Sequence, residues 1–172
     1  QEYRSAMMVS LSMIQHALAL FDESPKRAKE IREALSSISN DHDPFVQLLH
    51  LKAMFHFHTS DSLETVMKEA EHVIECQRTQ FHKSALTMTY AEFLWGQDIE
   101  QARSVFQNAI QPDNLLSSGT AKQRYAGRWW YFYSKTSPEN AIMAMREASR
   151  CFRSAGCHSA SRAIVKRMHR LL

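Results

Sequence analysis

Helix-start signals recur in this chain at a nearly constant interval. Ser24, Asp61, Asp98 and Ser137 each stand just before an amphipathic stretch, 37, 37 and 39 residues apart. A Ser or Asp side chain accepts a hydrogen bond from an otherwise orphaned N–H of the first helical turn, so these residues mark where helices begin. Ser24-Pro25 and Ser137-Pro138 add proline where its missing N–H costs nothing. A repeat of this length holding two helices constrains the fold strongly: one helical pair cannot bury both of its apolar faces, whereas stacked pairs share a continuous core. The four Gly and four Pro among 172 residues agree. They supply too little turn chemistry for a many-stranded β fold and exclude collagen-like or linker-like chains.

Apolar residues at helical spacing fill the intervals. The first helix is expected from Ser5 to Phe21, and the second after Pro25 with Ala28, Ile31, Leu35 and Ile38 inward. A third follows Pro44 with Phe45, Leu48, Leu49, Phe55 and Phe57, and Ser60-Asp61 caps a fourth carrying Leu63, Val66, Ala70, Val73 and Ile74. The fifth holds Phe81, Ala85, Met88, Tyr90, Ala91, Leu94 and Trp95; the turn Gly96-Gln97-Asp98 leads into a sixth with Ile99, Ala102, Phe106, Ala109 and Ile110. After the long break Gln111 to Gly119, a seventh helix is expected over Ala121 to Ser134. The eighth starts at Ser137-Pro138 with Ala141, Met145, Ala148 and Phe152 inward, and Ala155-Gly156 closes it before a last helix from His158 to Leu171. The expected fold is all-α: an α-solenoid of about four antiparallel helix pairs plus a terminal helix. It forms one domain over 1–172, with approximate repeats 5–40, 44–77, 78–111 and 120–155 and the terminal helix at 158–171.

The stretch from Tyr90 to Ile110 resembles the core of a tetratricopeptide (TPR) repeat and its half-a-TPR relative. In that family small residues recur four and seven positions along the second helix around an aromatic, letting neighbouring helices approach closely. Ala102, Phe106 and Ala109 match this pattern, and Ala141, Met145 and Ala148 match it with Met in the aromatic place. Val66, Ala70 and Val73 follow more loosely, as do Ala28, Arg32 and Leu35; the closing proline falls two residues early, at Pro112. The resemblance implies a TPR-like superhelix and an adaptor role in a multi-subunit assembly, and it implies no chemistry.

Net charge is +3, but its distribution is lopsided. Residues 1–119 hold ten Lys/Arg against sixteen Asp/Glu, net −6, while residues 120–172 hold eleven against two, net +9. A basic end concentrates and orients acidic peptides, phosphates or nucleic acid. Three cysteines, Cys76, Cys151 and Cys157, make no disulfide framework, which favours a reducing cytoplasmic or nuclear setting. No apolar run reaches the length of a membrane span, and the N-terminal residues lack the pattern of a signal peptide, so no membrane contact is expected. The chain starts at Gln1 rather than Met, and a fragment of a larger protein is expected.

Catalytic signatures are missing: there is no phosphate-binding glycine loop, nucleophile elbow or HExxH motif. His72 and Cys76, at i and i+4, share a helix face as two zinc ligands would, but the next candidate, His82, lies beyond a helix junction. The expectation is no enzyme, no metal, no cofactor and no small-molecule substrate. Two other features invite a partner. The run Trp129-Trp130-Tyr131-Phe132-Tyr133 points rings all round one helix, either as a central packed helix or as the aromatic wall of a groove, with Tyr125, Trp129 and Tyr133 beside Arg124 and Arg128. Arg146, Arg150 and Arg153 line one face of the eighth helix, and Arg162, Lys166, His169 and Arg170 one face of the ninth. Such stripes are either solvated faces or carboxylate- and phosphate-binding surfaces. The expected function is a scaffold contacting an acidic or amphipathic segment of another protein through the basic, aromatic C-terminal third. An RNA- or DNA-binding module, or a structural segment of a longer solenoid, are the alternatives.

Overall fold

The computed structural model describes Phe55 and residues 63–171. The expected first three helices, except the buried, helical Phe55, and the start of the fourth lie outside the described residues. The described residues form six α-helices and two short 3-10 turns, with no strand among them, so the all-α expectation holds there. The chain divides into two compact units, 1–77 and 78–172.

In the first unit, α1 (Leu63–Glu75) buries Val66, Ala70, Val73 and Ile74 of the stripe that helical spacing selects, with Leu63 of the same stripe half-buried. Its outer face carries the exposed pair Lys68–Glu64 at 2.7 Å, an i,i+4 contact worth only a few tenths of a kcal/mol. Gln77 Nε2 donates to the Val73 carbonyl at 2.9 Å, satisfying one of the acceptors that a helix end orphans.

The second unit opens with α2 (Gln80–Leu94), capped by Thr79, whose hydroxyl accepts from the His82 N–H. α3 (Ile99–Gln107) starts where Asp98 predicts: its Oδ1 accepts from the N–H groups of Glu100 and Gln101 at 3.0 and 3.1 Å. α2 is buried nearly all round, with Ser84, Thr87 and Thr89 inside beside Leu86, Met88, Tyr90, Ala91 and Leu94. Thr87 and Thr89 meet the cost of burying a hydroxyl by donating to the carbonyls of Lys83 and Ala85 in their own helix. In α3, Ala102 and Phe106 are buried, and Ala109 just beyond it is too. The helix expected to reach Ile110 stops at Gln107, and Pro112–Asn114 makes a 3-10 turn.

That break is not a loose loop, because α4 (Gly119–Thr136) supplies donors to its carbonyls. Tyr125 Oη donates to Ile110 O at 2.7 Å, Trp129 Nε1 to Ala109 O at 3.3 Å and Lys122 Nζ to Leu115 O at 3.0 Å. The aromatic run resolves by position on the helix: Trp129 and Phe132 are buried, whereas Trp130, Tyr131 and Tyr133 are half-buried. Phe132 lies 5.2 Å from Trp95, the residue that closes α2, and 4.7 Å from Phe106 of α3, centroid to centroid, so α4 packs on both.

The eighth expected helix begins later than its Ser-Pro signal, after a 3-10 turn at Pro138–Asn140, as α5 (Ala141–Ser154). It packs tightly on α4 at Gly127, where a Cβ would stand 2.8–3.0 Å from the Phe152 ring. Gly156, at φ +73°, ends α5 in the left-handed conformation that glycine adopts without penalty. The N–H groups of Gly156 and Cys157 then bond to Arg153 O and Phe152 O, closing a Schellman cap and turning the chain sharply into α6 (His158–Met168). The α5–α6 crossing is made by small residues, with the buried Ser149 and Ser161 hydroxyls 2.8 Å apart.

Candidate functional site

Residues from α4, α5 and α6, with Glu92 of α2, line an open groove of about 1010 Å³. Its floor comes from Phe152 and from the α6 stripe Ala160, Ala163, Ile164, which recur at the three- and four-residue spacing of one helix face. Phe152 and Ile164 also belong to a buried cluster with Met145 and Ala148, against which Tyr131 and Ala160 are packed. The rim is cationic: Lys166, Arg167 and Arg170 come from α6 and the turn after it, and Leu171 beside them is 58% exposed.

Two side chains hold this site in place. Arg128 reaches across to α2 and donates through Nε and Nη2 to the two carboxylate oxygens of Glu92 at 2.9 and 2.7 Å, and through Nη2 to Thr89 Oγ1 at 2.9 Å. Its charge is therefore engaged in a forked pair between helices, the geometry for which guanidinium is suited. Arg167 Nη1 donates to Tyr131 Oη at 2.9 Å, tying α6 to α4 while leaving the positive charge without a carboxylate. Lys135 sits over the rings of Tyr131, Trp95 and Phe132 at 4.9, 5.6 and 5.7 Å. Burial there pushes its ammonium below the usual lysine range; Glu92 opposes that effect and Arg167 adds to it.

The sequence-predicted residues divide accordingly. Arg128, Lys166 and Arg170 meet at the groove. Arg153, Arg162 and again Lys166, with His158 and His169, line a second, smaller hollow of about 630 Å³ on the other flank of α6. Arg124, Trp129, Tyr133, Arg146 and Arg150 line neither. Trp129 is in the core, stacked on Tyr133 at 5.4 Å, so it presents no aromatic wall. The Arg146–Arg150–Arg153 stripe is not wholly acid-free, since Arg150 pairs with Glu147 at 2.8 Å, three residues earlier. Tyr131, Phe152, Ala163, Arg167 and Leu171 belong to the groove but not to the sequence-predicted set. Phe152 reads as an inward-facing residue, Leu171 as the end of the last helix, and Arg167 falls outside the counted stripe; the signal that finds Ala163 and Arg167 is the i, i+3, i+4 stripe running beside cations on α6.

Cys151 is buried, and burial pushes its thiol above the usual range, away from the reactive thiolate. His72 and Cys76 do share a face, with Nε2 and Sγ 3.7 Å apart, but among the described residues no group of three or more His, Cys, Asp or Glu gathers as a metal site. Among the described residues no helix is long and apolar enough to cross a membrane. Comparison of the chain with protein-family models, curated proteins and solved structures finds no match.

Proposed function

We propose that this chain is a non-catalytic adaptor, working in the cytoplasm or nucleus, that binds another protein along α6. The observation carrying this reading is the groove itself: an apolar floor with a cationic rim, and only one carboxylate, Glu92, which is already paired. Surfaces that combine a contiguous apolar patch with a charged margin mark interaction sites more often than solvated faces. A TPR-like array is the architecture we propose for the helices. It is supported by the pairing of α2 with α3 and of α4 with α5, by the packing of α4 on α2, and by buried small residues Ala102, Ala109 and Ala148 around Phe106 and Met145.

The test compares proteins retained by the wild-type chain and by Ala163→Glu, which places a carboxylate on the groove at an exposed position. Glu100→Lys on exposed α3 surface is the control. The reading predicts a stoichiometric partner retained by wild type and the control but lost with Ala163→Glu; identical retention by all three contradicts it. A second reading, nucleic-acid binding, is favoured by the carboxylate-free hollow lined by Arg153, His158, Arg162, Lys166 and His169. It requires RNA or DNA binding that falls steeply between about 50 and 200 mM salt; no binding at low salt removes it.

A further inference from the structure

The adaptor reading leaves open what fills the groove, and the inference drawn here rests on that reading. We infer that the occupant is an acidic amphipathic α-helix of the partner, lying alongside α6 with its apolar stripe on the Phe152–Ile164 floor and its carboxylates against Lys166, Arg167 and Arg170.

Three observations point to a helix of this chemistry. On α6 the groove is lined by one stripe, Ala160, Ala163, Ile164, Arg167, at spacings of three, one and three residues, and Leu171 of the turn that follows lies beside it. Such a stripe is the surface a helix offers to another helix, because the ridges of one fit the grooves of the next. Ala160 and Ala163 line the groove with small side chains, which permit a close approach as those of Ser149 and Ser161 do at the α5–α6 crossing. The third observation is charge. Lys166 and Arg170 make no ion pair among the described residues, Arg167 is bonded only to the neutral Tyr131 hydroxyl, and α6 contains no acid. Opposite charge on the occupant compensates these cations, whereas a basic or neutral helix leaves them repelled or desolvated. An apolar floor serves nucleic acid poorly, since phosphates and sugars bury little apolar surface there. Helix-in-groove recognition, read as apolar anchors at i, i+3, i+4 and i+7, fits all three observations.

The full chain is titrated with a labelled synthetic helix carrying leucine at i, i+4, i+7 and i+11 and glutamate over its other face, followed by fluorescence anisotropy. One comparison peptide has the same composition with the leucines dispersed round the helix; two others carry a central proline, or lysine in place of glutamate. The inference predicts saturable binding of the first peptide and at least about ten-fold weaker binding of each of the others. It also predicts an about ten-fold loss with Lys166→Glu/Arg170→Glu, both exposed, and loss of binding with Ala163→Glu. Equal binding of the dispersed or proline peptide overturns it, as does a stronger, salt-sensitive hold on a single-stranded oligonucleotide. Self-association in sedimentation that Ala163→Glu abolishes assigns the groove to a second copy and also overturns it. Should a cellular partner be lost with Ala163→Glu yet be retained undiminished by Lys166→Glu/Arg170→Glu, the adaptor reading stands and the acidic helix falls. If no partner depends on Ala163, both fall.

Discussion

Replacing Gly127 by alanine tests how α4 and α5 are held together, and with them the floor of the groove. In an ordinary helix the change stabilises, because alanine exceeds glycine in helix propensity by about 1 kcal/mol. Here the new methyl would stand 2.8, 2.9 and 3.0 Å from Cδ2, Cγ and Cδ1 of Phe152. Carbon atoms rest at about 3.5–4.0 Å, so the ring or the whole of α5 must retreat by roughly 0.5–1 Å. Overpacking of this kind costs about 1–3 kcal/mol. The repulsion wins or breaks even: Gly127→Ala is expected to destabilise by roughly 0–2 kcal/mol. In a Phe152→Leu background the collision is relieved and the same substitution should stabilise by up to about 1 kcal/mol, a coupling of about 1–3 kcal/mol between the two sites. Gly96→Ala is the control, since its nearest neighbour is Phe93 O at an ordinary 3.8 Å and it should be neutral or slightly stabilising. Urea unfolding read by tryptophan fluorescence suits the question, because all three tryptophans, Trp95, Trp129 and Trp130, lie in the 78–172 unit. A Gly127→Ala protein stabilised by about 1 kcal/mol regardless of residue 152 refutes the close crossing.

Other expectations follow from the same contacts. A double-mutant cycle on Arg128→Gln and Glu92→Gln should return a coupling of about 1 kcal/mol, above most exposed pairs because the contact is forked and the Arg side chain is only 23% exposed; a coupling near zero removes the pair as the α2–α4 clamp. Ser149→Ala strands the buried Ser161 hydroxyl and should cost about 1 kcal/mol in a urea melt, whereas Ser161→Ala leaves Ser149 the Ser161 carbonyl at 3.5 Å and should cost less, and the double variant should cost less than the sum of the two; strict additivity contradicts the contact. Burial pushes the Tyr125 phenol well above the ordinary tyrosine range, against opposing effects from Ser84 and Arg128. The unfolded chain releases that proton near pH ~10 and the folded chain keeps it, so the stability is full below ~10 and falls as pH rises beyond, by up to about 1.4 kcal/mol per pH unit. Tyr125→Phe should flatten that alkaline decline; an unchanged decline assigns it to other groups.

Much of the described fold was legible because helix starts are chemical events. Asp98 caps a helix through its side-chain oxygen, Gly156 turns one helix into the next, and the stripes of α1 and α3 bury most of the residues that their spacing selects, although Ile99, expected inward, is 47% exposed at the start of α3. The misreadings share a cause. Ser137-Pro138 marks the entry to α5, but Pro138–Asn140 first forms a 3-10 turn, and a cap signal does not distinguish the two. α2 buries Ser84, Thr87 and Thr89, which no count of apolar residues selects, because backbone acceptors and a loop N–H satisfy their hydroxyls. The candidate site was half legible. Charge per segment found Lys166 and Arg170, but which arginine is engaged depends on a partner 36 residues away, as with Arg128 and Glu92. Aromatic count pointed to Trp129, which belongs to the core, and passed over Tyr131, two positions on, which faces the groove.

The central claim, that a partner protein docks along α6, is tested most directly by placing a photo-cross-linking amino acid at Leu171, on the exposed rim, and at Glu100 on α3 as a control, then irradiating in cells. The account predicts one dominant protein adduct from position 171, joined through an acidic amphipathic segment and absent from position 100. Adducts to nucleic acid alone, or the same adducts from both positions, contradict it.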